Sequence, residues 1–241
     1  MYSQLSDSLI AARRFISGRM NSFDPFGLLE RFVPAQRLHM LIRVAALAVV
    51  LGFLVLRVRQ YHDFLFKPLW LAETLLFIIL IIAFAVRRDP VDRSRGFVEI
   101  VIPLIGAVLP FGLLTTSPSA WVTGSNTLLT AMFCWMTLAT AFTAWSMWVL
   151  RHSFSITVEA RALVTKGPYQ WVRHPVYLGE ILSAAAVVVW RWSLTNMVLL
   201  ILFVTIQLLR SRWEECKLEK IFPDYKEFAG RSWWFWKKPG F

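Results

Sequence analysis

The sequence predicts an all-α, polytopic membrane bundle of about six transmembrane helices, with a cytosolic C-terminal helical tail folded back on it. Three observations carry this expectation. Hydrophobic residues make up 57% of the 241 residues and mean hydropathy is +0.54, above the roughly 45–50% apolar content of ordinary globular chains. Six apolar windows follow one another at residues 38–56, 69–86, 97–114, 126–150, 176–190 and 194–209, where a spanning helix needs about 17–25 apolar residues. Basic residues are also divided unequally between the two sides of those windows. With the N-terminus inside, 21 Lys and Arg fall on the inner side and 4 on the outer, Arg43 lying within a window, and such an excess marks the cytosolic face. Both termini are therefore expected in the cytosol.

Residues 1–37 form a basic N-terminal segment in which Arg13, Arg14, Arg19, Arg31 and Arg37 interrupt any continuous apolar stretch, unlike a cleavable signal. Leu5, Leu9, Ala12 and Ile16 recur at helical spacing beside Arg13 and Arg14, the pattern of an amphipathic helix lying on a membrane surface; a mobile tail is the plain alternative. Residues 38–150 read as a four-helix membrane region. Its connections at 57–68 and 87–96 are short and charged, and 115–125 is a turn rich in Ser, Thr, Pro and Gly, so antiparallel packing is expected. Pro103 and Pro110 lie in the third window, where each removes a backbone donor and kinks the helix, either to widen a cavity or only to adapt its packing.

The last two windows are short for spans and suggest a tight helical hairpin inside the third unit, residues 151–241. The formal charge of +11 follows the membrane topology closely enough to be an orientation and lipid-headgroup signal, and no nucleic-acid partner is expected. Only Cys134 and Cys216 occur, with no His or second Cys at ligand spacing around Cys216. Neither a disulfide framework nor a metal is indicated.

The stretch 163–180, LVTKGPYQWVRHPVYLGE, packs turn formers, cations and rings into a polar break between two apolar windows. Gly167-Pro168 is a turn signal, while Pro175 pushes His174 out of the α region and itself suits a first helical turn. His174 is thus expected at the start of the fifth helix, with Arg173 beside it and Tyr177 and Gly179 in the first turn or so. A helix start offers backbone donors and partial positive charge, which with Arg173 would hold a carboxylate; an Arg-His pair binding lipid phosphates remains open. Tyr169 and Tyr177 offer ring faces to a cation or serve as interfacial anchors.

Beyond the sixth window, Glu214 and Glu215 stand among Arg210, Arg212, Lys217 and Lys220. Neighbouring helical residues point about 100° apart, so one carboxylate is expected to face a ligand and the other solvent or a nearby cation, with Glu214 favoured as the ligand-facing member. A solvated helix laced with weak ion pairs is the alternative. Leu218, Ile221 and Phe222 share a face that would press the tail onto the bundle, and Pro223 would end the helix. Trp233, Trp234 and Trp236, next to Lys237 and Lys238, suit headgroup anchoring or the lining of a lipid path.

In order, LVTKGPYQWVRHPVYLG, an apolar hairpin, the Glu pair, Phe222-Pro223-Asp224-Tyr225 and a terminal Pro-Gly-Phe resemble the C-terminal core of the isoprenylcysteine carboxyl methyltransferase family and its phospholipid-methylating relatives. The resemblance covers about residues 150–241. It implies methyl transfer from S-adenosylmethionine to a lipophilic acceptor, either a carboxylate or an amine headgroup. By the same resemblance Lys166, Gly167, Pro168, Tyr169, Arg173, His174, Pro175 and Tyr177 correspond to the cofactor-binding loop and helix start, and Glu214 and Glu215 to the paired glutamates; Arg173, His174 and Glu214 are the candidates for catalysis. Relatives carry Phe-Gly and a second Tyr where this chain has Phe222-Pro223 and Phe228, which places one hydroxyl contact in doubt.

Two other classes compete. Arg212-Trp213-Glu214-Glu215-Cys216 resembles the acidic, cysteine-containing tail of NADPH-dependent sterol-type membrane reductases. A non-catalytic transporter or scaffold is disfavoured because the windows hold few charges, Arg43 and Glu73 being taken as the exceptions, where transport pathways carry polar groups at mid-membrane.

Overall fold

The computed structural model describes residues 35–236 except 64, 87, 89–90, 92–93 and 95. The expected amphipathic helix within 1–37, Lys237, Lys238 and the terminal Pro-Gly-Phe lie outside the described residues, apart from the start of the first helix. Among those residues the chain is all-helical with no strand. The helices are α1 (Ala35–Arg59), α2 (Lys67–Val86), α3 (Gly96–Gly112), the single-turn α4 (Ala120–Thr123), α5 (Asn126–Leu150), α6 (Pro175–Trp190), α7 (Leu194–Ile221) and α8 (Tyr225–Arg231).

A helix thus coincides with each of the six apolar windows, but only α2, α5 and α7 are both long and apolar enough to cross a membrane among the described residues. Two of the other three are short. In α3, 17 residues long, Pro103 and Pro110 fall inside the helix. Pro175 starts α6 and Arg191 ends it after 16 residues, about 24 Å at 1.5 Å per residue. In contrast α7 runs 28 residues, about 42 Å, which carries its last turns well past the apolar stretch. Glu214 and Glu215 therefore share one continuous helix with the apolar residues before them. Ser193 begins that helix by accepting a hydrogen bond from the Asn196 amide, the N-cap arrangement that satisfies an otherwise unpaired donor.

Packing runs from α1 to α2, α2 to α5, α5 to α6, α6 to α7, and α7 to α3. The α5–α6 contact depends on Gly179, where a Cβ would sit 2.2 Å from Thr143 Oγ1 and 3.2 Å from the Ala139 carbonyl oxygen; only glycine lets the helices approach so closely. One buried cluster joins Ala83 and Phe84 of α2, Met147 of α5, Phe154, Val176 and Tyr177 of α6, and Trp234 of the tail. A second, between α6 and α7, contains Leu113, Ala184, Val188 and Phe203. Beyond α7, Tyr225, Phe228 and Ala229 pack against Leu163, Leu218 and Phe222, so two of the three apolar residues expected to press the tail inward do so.

Candidate functional site

The loop between α5 and α6 is shaped by Gly167, whose φ of +60° lies in the left-handed region that glycine alone enters without cost. A Cβ there would also come within 3.1 Å of Val149 Cγ2. Gly167 to Gln170 form one 3-10 turn, with Pro168 at its start, and this turn buries Tyr169. Lys166, by contrast, is exposed. His174 occupies the N-cap of α6 and Pro175 its first position, as expected from the restriction that proline places on its predecessor.

The tail then meets this loop. Trp233 donates its amide to the Trp171 carbonyl at 2.7 Å and accepts from the Arg173 amide at 3.1 Å. The result is a buried polar cluster assembled from residues about forty positions apart. Arg173 Nη1 lies 3.1 Å from Glu215 Oε1 and 3.2 Å from Oε2. His174 Nε2 is 3.0 Å from Glu215 Oε1, and its Nδ1 is 3.8 Å from Glu214 Oε2. Tyr177 donates its hydroxyl to Glu214 Oε1, the Trp236 indole donates to Glu215 Oε2 at 2.6 Å, and Arg173 Nη2 donates to the Trp236 carbonyl. The rings of His174 and Tyr177 lie nearly parallel, 2° apart with centroids at 5.5 Å, and the Trp234 ring lies tilted against His174 with centroids at 4.9 Å.

Several expectations change here. Neither glutamate is solvated: Glu215 is fully buried, and the Glu214 side chain is 19% exposed. His174 bridges the two carboxylates, so residues pointing about 100° apart still share one partner. Glu215 is neutralised by Arg173 from the loop rather than by a cation of its own helix, while Lys217 pairs with Glu99 at 2.6 Å. Arg173, expected to face an anionic ligand, is itself buried with its guanidinium on Glu215. The returning tail supplies the reason, since it closes over Arg173 and leaves the carboxylate as the nearest counter-charge. Of the tail tryptophans only Trp233 is broadly exposed, at 52%, whereas Trp234 is buried and donates to Ser211 Oγ at 3.0 Å. The headgroup-anchoring expectation therefore fails for Trp234 and Trp236, which point into the site.

The sequence reading missed Glu180, Gln207 and Arg210. Gln207 donates to Glu180, Arg210 Nη1 donates to Gln207 Oε1 at 2.8 Å, and the Arg210 guanidinium lies 4.7 Å from the centroid of the Tyr177 ring. The signal was available, because Glu180 and Gln207 are polar side chains inside apolar windows; counting only Arg43 and Glu73 as exceptions passed over Glu180. Such polar groups among apolar helices are seldom incidental.

Two tyrosines near the cluster remain protonated across any ordinary pH. Burial pushes the Tyr169 hydroxyl well up, with the charges of Glu214 and Glu180 adding to it. Burial likewise raises Tyr225, with Glu215 next in effect. Both are thus hydrogen-bond donors and not bases. Beside Tyr225 and Phe228 the surface opens into a cavity of about 410 Å³ lined by Leu163, Thr165, Phe222, Pro223, Asp224, Glu227, Phe228 and Arg231. This cavity does not include the Arg173–Glu215 pair. Among the described residues no group of His, Cys, Asp and Glu could hold a metal.

No curated protein matches the chain. Residues 121–225 match the family model described as phospholipid methyltransferase, a stretch that contains the 163–180 loop and both glutamates and ends on Tyr225. Apolar helices of membrane-crossing length surround this cluster, and over residues 121–225 the chain is similar to the phospholipid methyltransferase family.

Proposed function

We propose that the protein transfers a methyl group from S-adenosylmethionine to a lipophilic acceptor carrying a carboxylate or an amine headgroup, at a site facing the cytosol. The observation that supports this reading best is the junction of residues 173–177 with Glu214 and Glu215, formed inside the segment that matches the family. The donor set suits the methyl donor. Glu214, still partly open, offers a carboxylate to a cationic or amino group, with the aligned His174 and Tyr177 rings beside it. The Lys166 to Tyr169 turn and the start of α6 add backbone donors, and Tyr169 adds a hydroxyl that keeps its proton.

The donor would supply an activated methyl on a sulfonium, which loses its positive charge as the methyl departs. The protein's own contribution is then positioning and exclusion of water. Glu215, Arg173 and Trp236 hold the loop and tail together and act as positioning residues. Glu214 and Tyr177 face the reactants. A carboxylate acceptor needs no base, whereas an amine must first lose a proton, which His174, between the two glutamates, is placed to take. Arg173 acts through Glu215 in this arrangement and not by direct contact with an anion. The exposed apolar surfaces of α2, α5 and α7 let the acceptor approach laterally from the bilayer.

Calorimetry on the purified full chain in nanodiscs tests the reading. Binding of S-adenosylmethionine and S-adenosylhomocysteine is expected, together with transfer of labelled methyl to a lipid extract. Tight binding of NADPH with no binding of either adenosyl ligand at millimolar concentration would instead favour a sterol-type reductase.

A further inference from the structure

The face that α6 and α7 turn toward each other is polar for two helical turns, although both helices are otherwise apolar there. On α6 the residues are Tyr177 and Glu180, three apart; on α7 they are Gln207, Arg210 and Glu214, at spacings of three and four. Each set lies on one side of its helix. The two sets interlock. Gln207 reaches across to Glu180 and accepts from Arg210 Nη1 at 2.8 Å, while Arg210 Nη2 donates to the Ile156 carbonyl at 2.9 Å. Arg210 and Gln207 are 5% and 1% exposed. Held on two sides, the Arg210 guanidinium sits 4.7 Å from the Tyr177 ring centroid, and the hydroxyl of that ring donates to Glu214. His174 stacks on the same ring. The ring therefore has a cation at one contact and an imidazole at another, and its hydroxyl orients the one glutamate that remains partly open.

We propose that Arg210 is a positioning residue for methyl transfer: braced by Gln207 and Glu180, it clamps the Tyr177 ring so that the Tyr177 hydroxyl fixes Glu214 toward the reactants. The inference rests on the reading of Glu214 and Tyr177 given above. Its physical basis is the planar, multiply donating guanidinium, which can bond Gln207 and Ile156 while lying against a ring, whereas a lysine ammonium is a compact point charge on a flexible stem and cannot do all three. Arg210→Lys keeps the charge beside Glu180 and Glu214 but removes the clamp. Charge balance and geometry are thereby separated.

The test is a double-mutant cycle of Arg210→Lys and Tyr177→Phe in the full chain in nanodiscs, read as S-adenosylmethionine affinity. Each single change is expected to weaken binding about tenfold, the equivalent of about 1.4 kcal/mol, and the double variant no more than the weaker single, because both break one linkage. Lys217→Met, which breaks the Lys217–Glu99 pair on the same helix, is expected to lower the melting temperature with affinity unchanged. In the ligand-free protein, the ring resonance of 13C-labelled Tyr177, assigned by its loss in Tyr177→Phe, is expected to shift in Arg210→Lys. Should Arg210→Lys not fold, Gln207→Leu replaces it with the same expectations. Wild-type affinity in Arg210→Lys, fully multiplicative losses in the cycle, or an equal loss of affinity in Lys217→Met would each overturn the proposal. If wild type binds no S-adenosylmethionine, the donor assignment fails, and an unshifted Tyr177 resonance then overturns the clamp on its own.

Discussion

At its start α6 buries Arg173 against a carboxylate; just past its end it brings Arg191 onto carbonyls. The far cluster is built around Asn196, fully buried, whose Nδ2 donates to the Leu113 carbonyl at 3.2 Å, to Thr116 Oγ1 at 2.8 Å and to the Arg191 carbonyl at 2.8 Å. Arg191 donates to the carbonyls of Leu114 and Thr116, and Ser119 closes the group by accepting from the Trp192 amide at 2.7 Å. Its donors meet backbone oxygens and hydroxyls, which staples the turn after α3 to the α6–α7 hairpin with no carboxylate among these residues. The near cluster instead sets Arg173, His174 and Arg210 against Glu180, Glu214 and Glu215, with Glu214 still partly open. Polar burial alone thus does not mark a reactive site; carboxylates and rings gathered around an open member do.

That contrast can be broken most severely at Glu215. Glu215→Gln leaves the buried Arg173 guanidinium without its counter-charge, and a loss of about 3–5 kcal/mol of stability is expected from such an uncompensated buried charge. Thermal unfolding in detergent reads it, and a melting curve like wild type would show that the near cluster is no more charge-dependent than the far one. Glu214→Gln sharpens the same comparison, because stability should hold while S-adenosylmethionine affinity falls roughly ten- to a hundredfold, as for loss of a charge-assisted hydrogen bond of about 1.5–3 kcal/mol. Equal effects of the two substitutions on both readouts would remove the division between a holding and a facing glutamate.

At the far end, Asn196→Ala should cost about 1–3 kcal/mol by leaving buried acceptors unpaired, with ligand affinity unchanged. Weakened binding in this variant would show that the two ends of α6 are coupled. The smallest effect is expected at Gly167→Ala, where an L-residue in the left-handed region costs about 1–2 kcal/mol and the new methyl meets Val149. Its diagnostic is a shift of the Tyr169 turn, read as a modest loss of affinity beyond the loss of stability.

Much of this was legible before any coordinates. The helical class follows from apolar windows of the right length, because a backbone in hydrocarbon must satisfy its own hydrogen bonds. Pro175 alone places His174 at a helix start, since the proline ring restricts the residue before it. The motif order 163–180, Glu214-Glu215, Tyr225 falls inside the segment that matches the phospholipid methyltransferase family model. Local sterics and solvent preference act through nearest neighbours along the chain, and so they can be read from it. Which carboxylate faces which cation cannot, because it depends on helix rotation and on partners distant in sequence. Only the tertiary structure brought Arg173 to Glu215, turned Trp234 and Trp236 inward from an apparent membrane anchor, and set Arg210 of α7 against Tyr177 of α6. Each of these pairings depends on the way the tail returns or on the register between two helices, a property of packed surfaces that no stretch of sequence contains by itself.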